Sequence, residues 1–459
     1  SDKKGRLDLT KQIIITIDGD DSRDFDDAIS VEKNEKGFIL GVHIADVSHY
    51  VKEGSEIDKE ALSRATSIYF PDFVIPMLPE KLSNGICSLN EGVERLTLSC
   101  IMKIDKSGAV YDYEFHNSVI KSRNRMTYKK VQKIIDGDKE LREQYSHLVE
   151  LLDNANELQN ILHKRRKERG SVDLDSKEAE IFVDENGKIH LSKRERIGSY
   201  QLIEEFMLLA NQTVAEHCYY LNVPFVFRIH EKCAEEKLQS FCLFLKNLGI
   251  KTSWNEKNYH SSDFNKLLEK IKDMPYAGIV NNVLLRFMQK AKYSPEDVGH
   301  FGLGLEHYCH FTSPIRRYPD LQVHRILKTV MKDYEKAEKY LSVVGEVSDI
   351  SSSREKRADE VERQVDDIYT VAYMRDFLGE EFNGVISGVT SFGIFVELEN
   401  TAEGLVRLED LPKGNYVFDE KTYTLFSNKN VFKLGDSVKI KVVNCDVLAG
   451  QLDFILVNR

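Results

Sequence analysis

The chain has seven cysteines and no Cys-x-x-Cys pair among them. They stand singly at 87, 100, 218, 233, 242, 309 and 445. An odd, widely spaced set argues against a disulfide framework and against a thiolate zinc site, and suits a reducing cytoplasm. There is no apolar run of about 18 or more residues and no N-terminal apolar signal segment, so the sequence reads as neither membrane-spanning nor exported by a visible signal. A positive balance is missing too: 64 Lys and Arg against 75 Asp and Glu leave a formal charge of −11. A uniformly acidic surface repels polyanions, so a nucleic-acid partner has to be met by locally gathered charge. Proline is scarce at nine, yet three of the nine fall within residues 71–79. What is present, 41% hydrophobic and 30% charged residues over 459 positions, predicts a folded chain of more than one domain.

The densest feature is Asp18-Gly19-Asp20-Asp21-Ser22-Arg23-Asp24-Phe25-Asp26-Asp27, six carboxylates in ten positions. It follows the β-branched run Ile13-Ile14-Ile15-Thr16-Ile17 and precedes Ala28-Ile29-Ser30-Val31. The cluster is therefore expected between two buried strands, with Asp18 held at a strand end. So many like charges repel unless water or cations neutralise them. An EF-hand loop starting at Asp18 requires glycine at its sixth position and glutamate at its twelfth, where Arg23 and Ile29 stand. Magnesium keeps several waters and takes one or two carboxylates per ion. Four well-placed aspartates thus suit a pair of Mg²⁺ on a phosphate better than an enclosed Ca²⁺. On this stretch alone an acidic surface loop is the competing reading.

Phe38 to Val47 reads as a long apolar strand carrying His43 and Asp46 near its end. Local hydrogen bonding is the simpler role for His43, whereas Asp46 could lie over the same sheet edge as Asp18. Residues 56–66 have helical spacing, and Tyr69 to Pro79, with three prolines and three aromatics, predicts a rigid extended loop able to present rings to a ligand. Leu96–Ile104 and Val110–Ile120 alternate like paired strands. Two basic blocks follow, one of Lys121, Arg123, Arg125, Lys129, Lys130 and Lys133, the other Lys164-Arg165-Arg166-Lys167-Glu168-Arg169, with a helical stretch between them ending at Gly170. Such blocks are commonly solvated faces, but two in a net acidic chain suggest positive charge gathered where a polyanion passes. Ser199 is expected to cap a helix whose core face carries Leu202, Ile203, Phe206, Leu209, Ala210 and Val214.

The second informative stretch is His307-Tyr308-Cys309-His310-Phe311-Thr312-Ser313-Pro314-Ile315-Arg316-Arg317-Tyr318-Pro319-Asp320. His307 and His310 have ligand spacing for a helix, but Pro314 and Pro319 argue for an irregular loop, which disfavours metal ligation. Adjacent Arg316 and Arg317 suit phosphate, because guanidinium offers forked donors and stays charged. An arginine beside a Mg²⁺ cluster is what phosphoryl-transfer transition states need. Ser352-Ser353-Arg354-Glu355 reads as a capping box opening one long helix that ends near Leu378-Gly379. Beyond it, about five short strands with glycine turns in roughly 80 residues suit an OB-type barrel. Phe392 and Phe395 are its candidate stacking rings, and one of the two could be core.

These motifs together resemble the catalytic domain of the ribonuclease II / ribonuclease R (RNB) family. The likeness rests on Ile17-Asp18-Gly19, on Arg23-Asp24-Phe25-Asp26-Asp27-Ala28, on His43-Ile44-Ala45-Asp46-Val47-Ser48-His49-Tyr50 and on His310-Phe311-Thr312-Ser313-Pro314-Ile315-Arg316-Arg317-Tyr318. The wording of these stretches, with Phe227-Arg228-Ile229-His230, is most similar to the ribonuclease R branch. The tail resembles a ribosomal S1-type RNA-binding domain. The resemblance implies an α+β RNB catalytic domain, a mixed sheet with surrounding helices and an RNA channel, over residues 1–378. That span includes a linking helix at about 353–378, and an all-β OB-fold S1 barrel follows over 380–459. It further implies a processive 3′→5′ exoribonuclease that acts on the 3′ end of single-stranded RNA and releases nucleoside 5′-monophosphates. Such an enzyme uses two Mg²⁺ ions, for which Mn²⁺ can substitute, and works as a cytoplasmic monomer without membrane or DNA partners.

Carried onto this sequence, the family pattern assigns the metal site to Asp18, Asp24, Asp26 and Asp27, with Asp26 and Arg316 in the chemical step. RNA contacts fall to Tyr69, Leu174, Glu362, Arg317, Phe392 and Phe395. Tyr69 matches an aromatic packed on the terminal base and Glu362 a glutamate on the terminal nucleotide. Two departures stand out. Leu174 occupies a position that is phenylalanine in many relatives, and the pair of cold-shock domains that normally precedes the catalytic domain is missing from the sequence. Two other classes compete with the nuclease reading: an RNA-binding relative without activity, and a phosphatase or endonuclease using the same carboxylates.

Overall fold

The computed structural model describes residues 2–172, 179–194, 197–252, 254, 259–274, 277–420 and 422–457. Its centre is a mixed seven-stranded sheet. In chain order it uses β1 (Leu7–Asp8), β2 (Ile15–Asp18), β3 (Asp27–Asn34) and β4 (Gly37–Ala45). The hairpin β5 (Ile68–Tyr69) and β6 (Val74–Ile75) intervenes before β7 (Glu94–Asp105), β8 (Val110–Lys121) and β9 (Asn124–Thr127). The spatial order is β1-β8-β7-β4-β3-β2-β9. β2 and β9 run parallel while the central pairs are antiparallel, and β3 pairs β4 from Asp27 opposite Ile44 to Asn34 opposite Gly37. The β-branched and leucine positions of β2 to β4 and β7, such as Ile15, Ile29, Leu40, Val42 and Leu98, are fully buried. Burial of each such side chain stabilises by about 1.5–3 kcal/mol.

Helices α1 (Val47–Tyr50) and α2 (Glu56–Arg64) follow β4, and α3 (Tyr128–Ile135), α4 (Lys139–Gln144) and α5 (Ser146–Arg169) follow β9. Gly170, with φ of 95°, ends α5 in the left-handed conformation that glycine adopts without a Cβ clash. The hairpin β10 (Ala179–Val183) and β11 (Ile189–Lys193) leads to α6 (Gly198–Tyr220). β12 (Phe227–Ile229) pairs with β13 (Lys292–Ser294), and α7 (Glu235–Asn247), α8 (Ser261–Ile271) and α9 (Ala277–Phe287) lie between them in sequence around a separate apolar cluster. Then come α10 (Tyr318–Lys332) and α11 (Val344–Met374). The C-terminal region is a closed barrel ordered β14 (Glu381–Thr390), β15 (Gly393–Leu398), β16 (Glu403–Arg407), β21 (Gln451–Leu456) and β20 (Ser437–Asp446). A small sheet of β17 (Val417–Asp419), β18 (Thr424–Phe426) and β19 (Val431–Lys433) lies between the third and fourth barrel strands in sequence. Among the described residues no helix is long and apolar enough to cross a membrane.

Several local expectations are corrected. α11 begins at Val344, eight residues before Ser352, because Val344, Val347, Ser348 and Ser351 are buried and carry the helix further back. Ser352 Oγ instead accepts from the Tyr293 N–H at 2.9 Å, and the helix gives way to a 3₁₀ turn at Arg375–Phe377. Ser199 does not cap α6: it lies in the first turn, donating its hydroxyl to the Tyr128 carbonyl at 2.8 Å. The strand expected to run to Val47 stops at Ala45, and the Asp46 carboxylate caps α1. Tyr69 to Pro79 contains a paired hairpin, β5 with β6, within what reads as loop.

Candidate active site

β2 ends on Asp18 and β3 begins on Asp27, so the sheet delivers both ends of the acidic segment to one place. The turn between them is held from outside. Arg125, on β9 beside β2, donates from Nη2 to the carbonyls of Gly19 at 3.0 Å, Asp20 at 2.6 Å and Ser22 at 3.3 Å, and its guanidinium lies over the Phe25 ring. Inward, Phe25 is buried and its N–H donates to Ser88 Oγ at 2.9 Å. Asp18, Asp24, Asp26 and Asp27 therefore face inward on a fixed backbone, while Asp20 and Asp21 are exposed.

The opposing wall is the loop before α10. Pro319 sits in the first turn of that helix, where its missing N–H costs no hydrogen bond. Asp320 Oδ1 accepts from the Ser313 N–H at 2.8 Å and from Arg317 Nη2 at 2.7 Å. From α6, Asn211 accepts from the Phe311 N–H at 2.8 Å and donates to Tyr308 Oη at 3.1 Å, fixing the loop from its other side. The two walls are joined directly: the Ile315 N–H donates to Asp26 Oδ1 at 2.8 Å.

Between them is a pocket of about 300 Å³ bordered by Asp18, Asp24, Asp26 and Asp27 and by Arg316 and Arg317. Arg316 Nε stands 3.8 Å from Asp26 Oδ2, close enough for charge attraction but beyond hydrogen-bond range. Burial, reinforced by the charges of Asp27 and Asp24, pushes the Asp18 carboxyl up to about 8. Burial likewise pushes Asp27 up to about 6 against the pull of Arg316, and raises Asp26 well above the usual carboxylate range. Asp18 Oδ2 and Asp26 Oδ2 are buried without a hydrogen-bond partner. A buried carboxylate oxygen left unpaired is costly, so these atoms fit a cation as the missing neighbour. Among the described residues no three His, Cys, Asp or Glu side chains close around a single point as a ready-made cage. Carboxylates spread along a wall suit a hard ion that keeps part of its water shell, as Mg²⁺ does.

Tyr69 lies beside this wall, its hydroxyl donating to Asp24 Oδ2 at 3.2 Å, while Glu362 on α11 accepts from the Tyr69 N–H at 2.8 Å. Asp24, Tyr69 and Glu362 thus form one chain of contacts. Leu174 lies outside the described residues. Phe392 and Phe395 belong to the barrel and not to the pocket. Phe392 is exposed, Phe395 is half-buried, and their rings meet edge to face at 6.1 Å, so neither belongs to the barrel core.

Other sequence candidates are absorbed by structure. His43 is fully buried between Ser30 Oγ at 3.0 Å and Ser99 Oγ at 2.7 Å, and burial pushes its pKa down to about 3. Asp46 is also buried, but it pairs with Arg6 at 2.6 Å and with Lys328, away from the pocket. His307 pairs with Asp297 at 2.6 Å. The basic blocks are partly used internally: Arg125 on the acidic turn, Lys129 on Asp20 at 2.9 Å, and Arg166 buried on Glu205 at 2.8 Å. Tyr128, Asn211 and His310 border the pocket and were not expected there.

The family model for the RNB domain matches residues 6–333. The chain belongs to the RNB family. A second family model, the S1 RNA binding domain, matches residues 375–455. Among curated relatives of this RNB-family chain, Ribonuclease R 1 of Lactococcus lactis is 44% identical over 98% of the chain and 56% of its own length. Ribonuclease R of Thermotoga maritima is 45% identical over 100% of the chain and 66% of its own length. The chain therefore spans between about half and two thirds of those relatives. Among solved structures, Mycoplasma genitalium RNase R in complex with ribose methylated single-stranded RNA superposes with a TM-score of 0.92 at 33% identity, covering 99% of this chain and 72% of the other. Yeast Ssd1, described as a pseudonuclease, has a TM-score of 0.71 at 22% identity and shares the fold alone.

Proposed function

We propose that this RNB-family chain is a metal-dependent, processive 3′→5′ exoribonuclease that hydrolyses single-stranded RNA to nucleoside 5′-monophosphates. The observation that carries the reading is one pocket with carboxylates on one wall and guanidinium groups on the other. Such a pocket suits a reaction in which negative charge accumulates on a phosphate. In this reading Asp18, Asp24, Asp26 and Asp27 hold a pair of Mg²⁺ ions, or Mn²⁺ in their place. Bound there, the ions supply Lewis-acid activation of water and charge neutralisation.

The chain's own residues do the rest. Arg316, whose side chain is 42% exposed and whose Nη2 is steadied by Ser313 Oγ at 2.9 Å, turns its remaining donors onto the scissile phosphate. Asp26, held by the Ile315 N–H, keeps its second oxygen toward the pocket and is the carboxylate most needed for the chemical step. Arg317, anchored on Asp320, adds fixed positive charge behind it. Tyr69, fixed by Asp24 and Glu362, stacks on the terminal base, with Leu174 as the opposite face and Glu362 beside the terminal sugar. Phe392 and Phe395 offer the incoming strand an edge-to-face ring pair on the S1 barrel. Preference for RNA over DNA comes from contacts to the 2′-hydroxyl. The protein acts as a cytoplasmic monomer, and its seven cysteines, none in a disulfide among the described residues, fit that compartment. The domain division proposed is catalytic to residue 378 and S1 from 380.

The test is degradation of 5′-labelled single-stranded RNA with and without EDTA. Conversion of the labelled strand to a short 5′ end product without internal fragments, with unlabelled mononucleotide released and only when metal is present, supports the reading. Internal fragments point to an endonuclease, and retention of intact RNA to a binder without activity.

A further inference from the structure

His310 lines the same pocket as the four carboxylates, and its ring has a defined hydrogen-bonding state. Its Nδ1 stands 2.8 Å from Tyr293 Oη. Tyr293 is buried, and its ring is covered by the Arg228 guanidinium 4.6 Å from the centroid, itself paired with Glu355 at 2.6 Å. Burial keeps the phenol protonated. Among the described residues the His310 ring is the one hydrogen-bond partner of that hydroxyl. If the ring nitrogen donated instead, the phenolic proton would be stranded in a buried space, which is costly. The phenol therefore donates, Nδ1 accepts, and the imidazole proton sits on Nε2.

A second proton on the ring is disfavoured by burial and by the guanidinium groups packed around it, Arg317, Arg228 and Arg316. Tyr308 and Tyr293 meet it edge-on. The ring is thus a neutral group with a single N–H, and an Nε2 that carries its proton does not ligate a cation. That Nε2 has no hydrogen-bond partner among the described residues and is not enclosed by protein, so it opens to the pocket. With Arg316 and Arg317 beside it, the acceptor favoured at this spot is an anionic oxygen.

We propose that His310 donates its Nε2–H to a phosphate oxygen of the RNA being cut, acting as a neutral donor next to Arg316, with Tyr293 as the positioning residue that keeps the proton on Nε2. The inference rests on the exoribonuclease reading and adds a residue to it. No proton is transferred: His310 keeps its hydrogen throughout and stabilises charge as it builds.

The experiment compares the unaltered chain with His310→Ala, His310→Gln and Tyr293→Phe on short single-stranded RNA with Mg²⁺, with folding checked by circular dichroism. His310→Ala is expected to lower kcat about 100-fold, the size of effect seen on removing one fixed donor from a charge-stabilising site, with KM within about threefold. His310→Gln retains an amide donor and should recover about tenfold of that loss; Tyr293→Phe should fall between His310→Gln and the unaltered chain. The pH dependence of kcat in His310→Gln should run parallel to that of the unaltered chain, since a neutral donor does not titrate. Unchanged kcat in a folded His310→Ala overturns the assignment. So does a new or missing limb in the pH profile, which means acid–base work, and so does loss of discrimination against 2′-deoxy substrate, which means a ribose contact. If His310→Ala fails to fold, the Gln and Phe variants decide by the same criteria. Failure of the unaltered chain to cut RNA removes the exoribonuclease reading, and this inference with it; cutting by the unaltered chain and by His310→Ala alike removes only His310.

Discussion

Asp26 and Asp46 are both buried aspartates next to the central sheet, and they differ in what surrounds them. Asp46 is saturated. It receives Arg6 at 2.6 Å, Lys328, the Ser48 hydroxyl at 3.0 Å and the His49 N–H at 3.1 Å, and the two cations hold its carboxyl well below the usual range despite burial. Asp26 has one backbone donor on Oδ1 and nothing hydrogen-bonded to Oδ2, and burial, with the charges of Asp24 and Asp27 adding to it, raises its pKa against the pull of Arg316 and the Ile315 N–H. A carboxylate whose lone pairs are all met is part of the scaffold. One kept short of partners at the price of stability marks a place where a ligand belongs.

The comparison is broken most directly by Asp26→Asn. The amide retains the acceptor for the Ile315 N–H but loses the charge, so RNA cleavage should drop roughly 10³-fold or more while RNA binding persists. A gel assay showing near-normal cleavage would remove Asp26 from the site. Asp46→Asn should do the reverse. It leaves Arg6 and Lys328 without their counter-charge and should cost about 3–5 kcal/mol in urea unfolding, with turnover per folded molecule unchanged.

His43 sharpens the contrast on the titration side. Its folded pKa, about 3, lies below the ordinary 6.5, so between those values the unfolded chain holds a proton that the folded chain does not. Its contribution is fully present above pH 6.5 and is lost as pH falls, with a slope of up to about 1.4 kcal/mol per pH unit. Denaturation midpoints from pH 7 to pH 4 should show this loss, and His43→Gln should flatten it. The smallest effect expected is for Asp18→Asn in metal-free protein. Removing one of several crowded carboxylates should raise stability by about 1 kcal/mol, and added Mg²⁺ should then stabilise the variant less than the unaltered chain. Calorimetry with EDTA and with Mg²⁺ reads both.

Much of this was legible in the sequence because charge density and alternation are local signals. The apolar runs around Ile15 and Ile29 become neighbouring strands, and the acidic turn between them faces a pocket with Arg316 and Arg317. The glycine-punctuated strands after residue 380 become a closed barrel. What stayed hidden depends on distant partners. Arg125 counts as one more basic residue until β9 is laid beside β2, when its guanidinium reaches three carbonyls of the acidic turn. Asn211 sits in a helix whose spacing spells core, and only the docked loop makes it a latch. The start of α11 was misplaced because a capping box at Ser352 is a short-range cue, whereas burial of Val344 and Val347 is tertiary. His43 and Asp46 carried chemistry-bearing side chains that the fold uses for cohesion.

The bond from the Ile315 N–H to Asp26 Oδ1 closes a span of 289 residues. During synthesis the N-terminal carboxylates leave the ribosome long before the segment that completes their pocket, because chains emerge and fold from the N-terminus onward. A half-made polypeptide therefore lacks the facing guanidinium wall, and the carboxylates wait without their closing backbone donor until that segment has emerged.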